Sequence, residues 1–562
     1  MRIPRSLVPA LAVAILALVT GGWFLQQGTR GQESVLFKAR LLEEVHRLVS
    51  ERYVEEIDPA ELYQMAIDGM LREVGDPYSV FLTPEDFADL QLSTTGNYGG
   101  LGIRIQKKGS WITVMGVLPN TPAERRGLQT GDRIVEVDGE SAEDWTEEQA
   151  VNTLRGEKGS SVTISVARVG VDRPLTFTIE RDAIHVKAIE SFMLDDRVGY
   201  VRLGGFNKEA TKELRSAIED LRESGAQALL LDLRWNTGGL LDEGVAIADL
   251  FLPRGAEVVS TRSRLEDQNF TFRAAGPDAV PNLPLAVLVN EGSASASEIL
   301  AGALQDYDRA LVLGTATFGK GSVQSLYSLP GGNHLKLTTA RWYTPSGRSI
   351  HKDRRDEDEL LAGGAGMALS AEGTPIETVV DTAGREVFRT VGGRPVYGGG
   401  GITPDLIVLP DTATLREREF VTEIAKAEAS FVDAAFQFGV RWKVEHPDLE
   451  EDFEVTPAMR DAFYRELVER IGGGIDRALY DDARGLVDQQ LAVQIANAAF
   501  GETARLKRRL REDRQVEEAL RLLREADSPG GLFTLAAAHR KAAVEAASAE
   551  LDDARAVAQP PH

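Results

Sequence analysis

Short apolar strands that alternate with helical segments fill the middle of the chain, and this alternation limits its fold more strictly than any other feature. Between Val198 and about Leu409 the strands are AlaLeuLeuLeuAspLeuArg, LeuAlaValLeuValAsn and AlaLeuValLeuGly, beginning at residues 228, 285 and 310. Apolar runs of this length, separated by helices, are typical of a sheet covered on both faces. The pattern predicts an α/β core, where we expect the chemistry of the chain.

The whole chain has 562 residues and is too long for one hydrophobic core, so we expect three or four domains. Helical periodicity predicts an amino-terminal helical region at residues 33–92. Short strands with Gly-rich turns predict a mostly β module at 93–182. The α/β core spans 183–410 and is interrupted by a polar, Gly-rich insert at 353–400. Residues 411–562 predict a helical extension.

The amino terminus predicts export. Arg2 and Arg5 precede an uncharged stretch from Leu7 to Leu25, within a targeting segment that ends near residue 30. The stretch is nearly long enough to cross a bilayer, and no Ala-x-Ala site follows it. We favour a retained membrane anchor over a cleaved signal. In either case the rest of the chain is expected in the periplasm or at the outer face of the membrane.

Composition excludes several classes of protein. The formal charge is -24 and no basic stripe is present, so nucleic acid is not an expected partner. The chain has no cysteine, which rules out disulfides, thiolate nucleophiles and Cys-ligated zinc. None of its seven histidines has the spacing of a metal-binding motif. A metal hydrolase is therefore disfavoured.

Two segments of the α/β core carry candidate catalytic residues. Strand 285–290 runs through a turn of small residues into a helix, and Ser295 lies in that turn. Alone, such a serine is more often an N-cap than a nucleophile. Lys320 lies between two glycines; it could act as a base only if burial lowered its pKa by about 3 units. Alone, it is more often a loop lysine that contacts an anion.

Four motifs of the core carry a family resemblance: SerAlaSerAlaSerGlu (293–298), AlaLeuGlnAspTyrAspArgAla (303–310), ThrPheGlyLysGlySerValGln (317–324) and LeuThrThrAlaArgTrpTyrThrProSerGlyArgSerIle (337–350). Taken together, they resemble the carboxy-terminal processing peptidases of family S41, Ser-Lys proteases related to the tail-specific proteases. The resemblance implies that Ser295 is the nucleophile, that Lys320 is the general base and that Gln324 orients the lysine amine.

The segment AspLeuArgTrpAsnThrGlyGly (232–239) resembles the turn that supplies an oxyanion-hole amide in this family. Gly238 or Gly239, together with the Ala296 amide, is expected to form the hole. Thr237 replaces the usual proline, so the turn is expected to be less rigid. Glu298 lies one turn after Ser295 on the same helix; a structural role is favoured over proton transfer.

The β module resembles a PDZ domain. GlyGlyLeuGlyIleArgIle (99–105) is similar to the PDZ carboxylate loop, and residues 119–139 are similar to its second half. The resemblance implies that the backbone at Gly100, Leu101, Gly102 and Ile103 binds a terminal carboxylate. Arg155, at the end of the helix that borders the groove, is either a surface charge or a link between the PDZ and protease domains.

The resemblance implies a crotonase-like α/β Ser-Lys core with an inserted PDZ domain and flanking helices. It also implies an endopeptidase that cleaves exported proteins near their carboxy termini, with no metal or cofactor. An adaptor protein and a homo-oligomer stay open as partners. The alternative is a non-catalytic PDZ scaffold. A His-dependent protease of the high-temperature-requirement kind is disfavoured because no Gly-Asn-Ser-Gly turn is present.

Overall fold

The computed structural model describes residues 35–352, 367–369, 375–377, 382, 384–427 and 429–541. The expected membrane segment at 7–25 and the first part of the insert, 353–366, lie outside the described residues. Two compact units are formed: one by Gln324–Thr338 with the described residues up to Phe87, the other by the remaining described residues. No helix among the described residues is both long and apolar enough to cross a bilayer.

The strands are numbered β1 to β23 along the chain. Their bounds are Val80–Leu82, Asn97–Gly100, Ile103–Lys108, Trp111–Val117, Arg133–Val137, Glu140–Ser141, Ser161–Ala167, Leu175–Glu180, Asp182–His185, Ile189–Met193, Val198–Leu203, Ala228–Asp232, Glu257–Arg262, Thr271–Arg273, Leu285–Val289, Leu311–Gly314, Ser322–Ser328, His334–Tyr343, Met367–Leu369, Pro375–Glu377, Val387–Arg389, Pro395–Tyr397 and Leu406–Ile407.

The helices are numbered α1 to α15 in the same way. Their bounds are Val35–Arg52, Pro59–Val74, Pro84–Thr95, Pro122–Arg126, Glu147–Leu154, Ala210–Glu223, Leu241–Asp249, Ala296–Asp306, Leu415–Lys426, Phe431–Glu445, Pro457–Arg470, Arg477–Asp482, Arg484–Phe500, Glu502–Leu510 and Arg514–Glu525.

A six-stranded sheet forms the α/β core, in the order β10-β11-β12-β15-β16-β23. β10 is antiparallel to β11, and the other neighbours are parallel. All residues of β12, β15 and β16 are buried. A parallel sheet with both faces covered produces these continuous apolar strands, as the sequence predicted.

Different parts of the chain cover the two faces of this sheet. On one face, Leu231 and Val287 pack with residues of α6, α7 and α8. On the other face, Leu230 and Leu288 pack with Val516, Leu522 and other residues of α15. The last helices of the chain therefore complete the core of the α/β domain, a contact that the sequence did not predict.

The module between residues 93 and 182 contains the antiparallel sheet β3-β4-β5-β7-β8, with β6 paired to β5. Helix α5 follows Thr146, whose side chain accepts a hydrogen bond from the Gln149 N-H in a capping box. Strand β2 enters the module beside β9, which leaves it, and Gly100 pairs with Asp182. Adjacent entry and exit strands are what an inserted domain requires.

Helices α9 to α13 share an apolar core of their own that includes Phe420, Phe463 and Leu491. Two of these helices, α10 and α13, also contact the β module through the cluster of Phe436, Val440, Ala498, Met115 and Val169. An ion pair joins Lys108 of β3 to Asp433 of α10.

The smaller unit contains α1, α2 and β1. Asp58 caps α2 by accepting a hydrogen bond from the Ala60 N-H at 2.7 Å, and Gly75 ends the helix in a left-handed conformation. β1 pairs antiparallel with the first residues of β18, Val80 opposite Lys336.

Candidate active site

Ser295 lies between β15 and α8 with φ 57° and ψ -113°. A serine that only caps a helix has an extended backbone with negative φ, so Ser295 is not an ordinary N-cap. Its neighbours hold the turn: the Ala294 N-H (3.0 Å) and the Ser297 hydroxyl (2.8 Å) both donate to the Asn236 carbonyl. A strained serine fixed between a strand and a helix is typical of a nucleophile turn.

Glu298 is completely buried and joins the serine turn to the lysine loop. Its Oε2 accepts hydrogen bonds from the backbone N-H groups of Ser295 (2.8 Å) and Lys320 (2.9 Å). Its Oε1 accepts from the Thr317 hydroxyl (2.6 Å) and the Gly319 N-H (2.7 Å). Burial raises the pKa of Glu298 to about 7, and the four hydrogen bonds limit the rise. One oxygen atom thus brings the two candidate catalytic residues to the same place.

Lys320 is only half-buried. Its backbone is firmly placed, because its carbonyl accepts a hydrogen bond from the Trp342 indole at 3.0 Å. Gly321 allows the lysine loop to approach the backbone of His351 closely, because a Cβ at Gly321 would lie 2.9 Å from the His351 backbone nitrogen.

Gln324 lies on β17, in the smaller compact unit. Its side-chain amide donates a hydrogen bond to the Thr338 hydroxyl at 3.2 Å.

The turn after β12 packs directly on the serine turn. Gly238 has φ 99°, and a Cβ built on it would lie 2.8 Å from the Ser295 Cβ and 3.0 Å from the Ala296 nitrogen. The Gly238 N-H already donates to the Asn236 Oδ1 at 2.9 Å. Within the described part of the chain, the Gly239 and Ala296 amides donate no hydrogen bond. Of the two glycines that the sequence left open, Gly239 has the available amide.

The side chain of Asn236, the residue before the one that replaces proline, holds this turn. Its Nδ2 donates to the Leu203 carbonyl at 2.7 Å, while its Oδ1 accepts the Gly238 N-H. Thr237, the residue that replaces proline, is exposed. Asn236 lies within the motif at 232–239, but the family resemblance assigned it no role. The signal was available, since asparagine side chains often accept a hydrogen bond from the backbone two residues later.

The predicted carboxylate loop lies between β2 and β3. The Leu101 side chain is buried in the core of the β module, and the Gly102 carbonyl accepts a hydrogen bond from the Leu118 N-H at 2.9 Å. Gly102 has φ 82°. Among the residues described, the Leu101 and Gly102 amides donate to no acceptor. Two neighbouring N-H groups beside an edge strand match the requirements of a carboxylate site. Gly100 ends β2, and Ile103 begins β3.

Arg155 lies at the end of α5. Its guanidinium donates to Asp89 on α3 at 3.2 Å and lies over the Tyr98 ring, 5.3 Å from the centroid. Asp89 is largely exposed, so this ion pair is worth little. The contact links the β module to α3, not to the serine turn.

Family models match three parts of this chain. The model described as peptidase family S41 matches residues 197–360, the PDZ domain model matches 89–167, and the model of the activating protease CtpB N-terminal domain matches 24–86.

Curated proteins are also similar to the chain. A carboxy-terminal-processing protease of Bartonella bacilliformis is 41% identical over 311 residues, 55% of this chain and 71% of that protein. A carboxyl-terminal-processing protease of Synechocystis sp. is 39% identical over 321 residues, 56% of this chain and 74% of that protein. Among solved structures, the photosystem II D1 C-terminal processing protease is 30% identical, covering 57% of this chain and 85% of that one, with a TM-score of 0.34.

Proposed function

The chain belongs to the carboxy-terminal processing proteases of peptidase family S41, and from this premise we propose that it is a serine endopeptidase in which Ser295 is the nucleophile and Lys320 the general base. One observation carries the assignment of residues. The buried carboxylate of Glu298 accepts hydrogen bonds from the backbones of both residues through a single oxygen atom. A loop lysine with no catalytic role would not need this placement.

In the proposed mechanism, neutral Lys320 accepts the proton of the Ser295 hydroxyl as the oxygen attacks a peptide carbonyl. The Gly239 and Ala296 amides, at the positive end of α8, stabilise the tetrahedral oxyanion. Lys320 then protonates the leaving amine, and water hydrolyses the acyl-enzyme. The family resemblance predicts that Gln324 orients the lysine amine. Lys320 is half-buried, and the bound substrate chain is proposed to exclude the remaining water from its side chain.

The PDZ domain and the family imply protein or peptide substrates. We propose that the free Leu101 and Gly102 amides bind the terminal carboxylate of the substrate and that cleavage occurs near that end. The substrates would be exported proteins, with residues 7–25 as the anchor that keeps the protease at the outer face of the membrane.

Cleavage of an unstructured protein with an apolar carboxy terminus tests the catalytic proposal. The full-length chain is compared with Ser295→Ala and Lys320→Ala, and Lys212→Ala is the control because Lys212 is an exposed helix residue. We expect the first two variants to lose activity by at least about a thousandfold and the control to keep it. Cleavage by Ser295→Ala or Lys320→Ala at the wild-type rate would contradict the proposed residues, whereas no cleavage by the wild type would favour the non-catalytic scaffold.

The role of the PDZ loop is tested with one peptide that has either a free or an amidated carboxy terminus. Amidation removes the negative charge that the amides are proposed to bind. We expect KM to rise by about tenfold with kcat nearly unchanged, the loss expected for one charge-assisted contact. Equal KM values for both peptides would show that the loop does not select the substrate.

A further inference from the structure

Arg234 connects the turn that carries Gly238 and Gly239 to the last part of the chain. Within the turn, its guanidinium donates two hydrogen bonds to the Asp232 carboxylate, at 2.9 and 2.6 Å. Its Nη1 donates to the Asp513 Oδ2 at 2.7 Å and to the Gln515 Oε1 at 2.9 Å. Asp513 is the N-cap of α15. The helical extension therefore contacts the oxyanion turn directly.

We propose that Asp513 and Gln515 are positioning residues for the oxyanion turn, so that the helical extension completes the active site. This inference rests on the proposed function and assigns a role to residues about 200 positions after Ser295 in the sequence.

The two residues are well placed for this role because each is fixed independently of Arg234. The other oxygen of Asp513, Oδ1, accepts hydrogen bonds from the N-H groups of Gln515 (2.9 Å) and Val516 (3.1 Å) at the start of α15. The Gln515 Nε2 donates to the Val408 carbonyl at 2.7 Å. Both acceptors from the helical extension are thus held rigidly, and they bind an arginine whose side chain is only 12% exposed.

The contact continues from Arg234 to the nucleophile. Two residues later, the Asn236 carbonyl accepts the hydrogen bonds that hold Ala294 and Ser297. Four residues after Arg234, Gly238 lies so close to Ser295 that a Cβ built on the glycine would be 2.8 Å from the Ser295 Cβ. Trp235, which lies between Arg234 and Asn236, has φ 61°. A bulky residue adopts this backbone conformation only where surrounding contacts impose it. A shift of Arg234 would therefore move the oxyanion amides relative to Ser295 Oγ.

Packing alone does not fix Arg234. A cavity of about 280 Å³ lies beside it, at the carboxyl ends of the core strands, and is lined by Arg234, Trp235, Asp513, Gln515 and other residues. The side chain has room to move if its acceptors are removed. The hydrogen bonds that Arg234 donates to Asp232, Asp513 and Gln515, rather than close packing, hold its side chain beside this cavity.

The test replaces Asp513 by Asn in the full-length protein. Asparagine caps helices as well as aspartate does, so Asp513→Asn keeps the cap of α15 and removes the charge from Arg234. Asp476→Asn is the matched control, because Asp476 caps α12 by accepting the Ala478 N-H and its side chain has no contact with the turn. Gln515→Met is the second variant. It keeps about the same side-chain volume at position 515 and leaves the Asp513 cap of α15 intact, but it removes the oxygen that accepts the hydrogen bond from Arg234.

We expect Asp513→Asn to lower kcat on the order of tenfold, a fraction of the effect of deleting an oxyanion donor, while KM changes by less than about twofold. The inhibition constant of a peptide aldehyde, which forms a tetrahedral oxyanion with the serine, should rise by the same factor as kcat falls. Gln515→Met should show the same pattern with a smaller loss, and Asp476→Asn should match the wild type.

Wild-type kcat and aldehyde inhibition in both Asp513→Asn and Gln515→Met would overturn the inference. So would an equal loss in Asp476→Asn, or a loss confined to KM. If Asp513→Asn does not fold, Gln515→Met decides by the same readouts. An inactive wild type or an active Ser295→Ala would instead contradict the proposed function, so the two failures are distinguishable.

Discussion

At the scale of single residues, the site depends on backbone placement more than on side-chain charge. Ser295 has a positive φ that costs of order 1–3 kcal/mol and persists only where surrounding contacts impose it. Asn236 and Glu298 impose it from opposite sides of the serine turn, through the Ala294 and Ser295 N-H groups. Glycine is needed at position 238 because the turn after β12 packs there against the turn that carries Ser295, and a side chain would not fit between them.

Replacing Gly238 by Ala should abolish proteolysis. The new Cβ would lie 2.8 Å from the Ser295 Cβ, so the serine or the oxyanion turn must move. Gly225→Ala is a matched control: Gly225 has φ 100°, nearly the same as Gly238, but no atom lies within 4 Å of the new Cβ. Both variants should lose about 1 kcal/mol of stability through backbone strain. Thermal unfolding and peptide cleavage measure the two effects; equal activity of the two variants would contradict the prediction.

Glu298 should make the stability of the protein depend on pH. Its pKa is raised from 4.5 to about 7, so the folded state binds its proton more tightly than the unfolded state does. The stability from this group is complete below about pH 4.5 and is lost as the pH rises through 7, a change of up to about 3 kcal/mol. Glu298→Gln removes the titration.

Thermal unfolding of the wild type and Glu298→Gln between pH 5 and 8 measures this effect. The wild type should lose stability relative to the variant as the pH rises. Glu219→Gln, at an exposed position on α6, is the control and should follow the wild-type curve. A constant difference between wild type and Glu298→Gln over this range would contradict the raised pKa.

The sequence was sufficient to find candidate residues but not their environments. The motifs led to Ser295, Lys320 and Glu298, because motif and spacing are properties of the chain itself. The half-burial of Lys320 and the complete burial of Glu298 depend on segments distant in sequence, including Thr317 and Trp342. The choice between Gly238 and Gly239 depended on a single hydrogen bond, which the Gly238 N-H donates to the Asn236 Oδ1, and only the asparagine two residues earlier signalled it in the sequence.

At the scale of elements, the predicted fold class and family are confirmed by the comparisons. The strands of the core were predictable because their apolar runs are continuous. The partner of each apolar helix face was not predictable. An amphipathic pattern in α15 shows that one face is buried, but not that it covers Leu230 and Leu288.

Leu522→Ala should destabilise the α/β core although it lies in the helical extension. Leu522 is 1% exposed between α15 and the sheet, so its truncation leaves a cavity there. A loss of about 2–5 kcal/mol is expected. Leu415→Ala on α9 is the control, since Leu415 is 73% exposed and should cost almost nothing. Denaturant unfolding measures both; a Leu522→Ala variant as stable as the control would show that α15 is not part of the core.

At the scale of the molecule, the larger unit is held together by the helical extension. Its helices contact the PDZ domain through Val440 and its neighbours, and they contact the core sheet through α15. A glycine of the PDZ domain, Gly131, lies at this contact. It is so close to Val440 that a Cβ on Gly131 would be 2.5 Å from the valine Cγ1. The proposed carboxylate loop and the proposed oxyanion turn are therefore both anchored to the helical extension.

Val440→Asp should release the PDZ domain from the helices without unfolding the α/β core. A carboxylate placed in the apolar cluster of Phe436, Ala498, Met115 and Val169 must either be desolvated or separate the two surfaces, and separation costs less because the contact is small. Hydrogen exchange should rise by at least about tenfold in β4 and α10, which meet at this contact, and stay unchanged in β12 and β15. Val432→Asp is the control on the same helix, at a position 44% exposed. If exchange in β4 is the same in both variants, the cluster does not hold the PDZ domain in place.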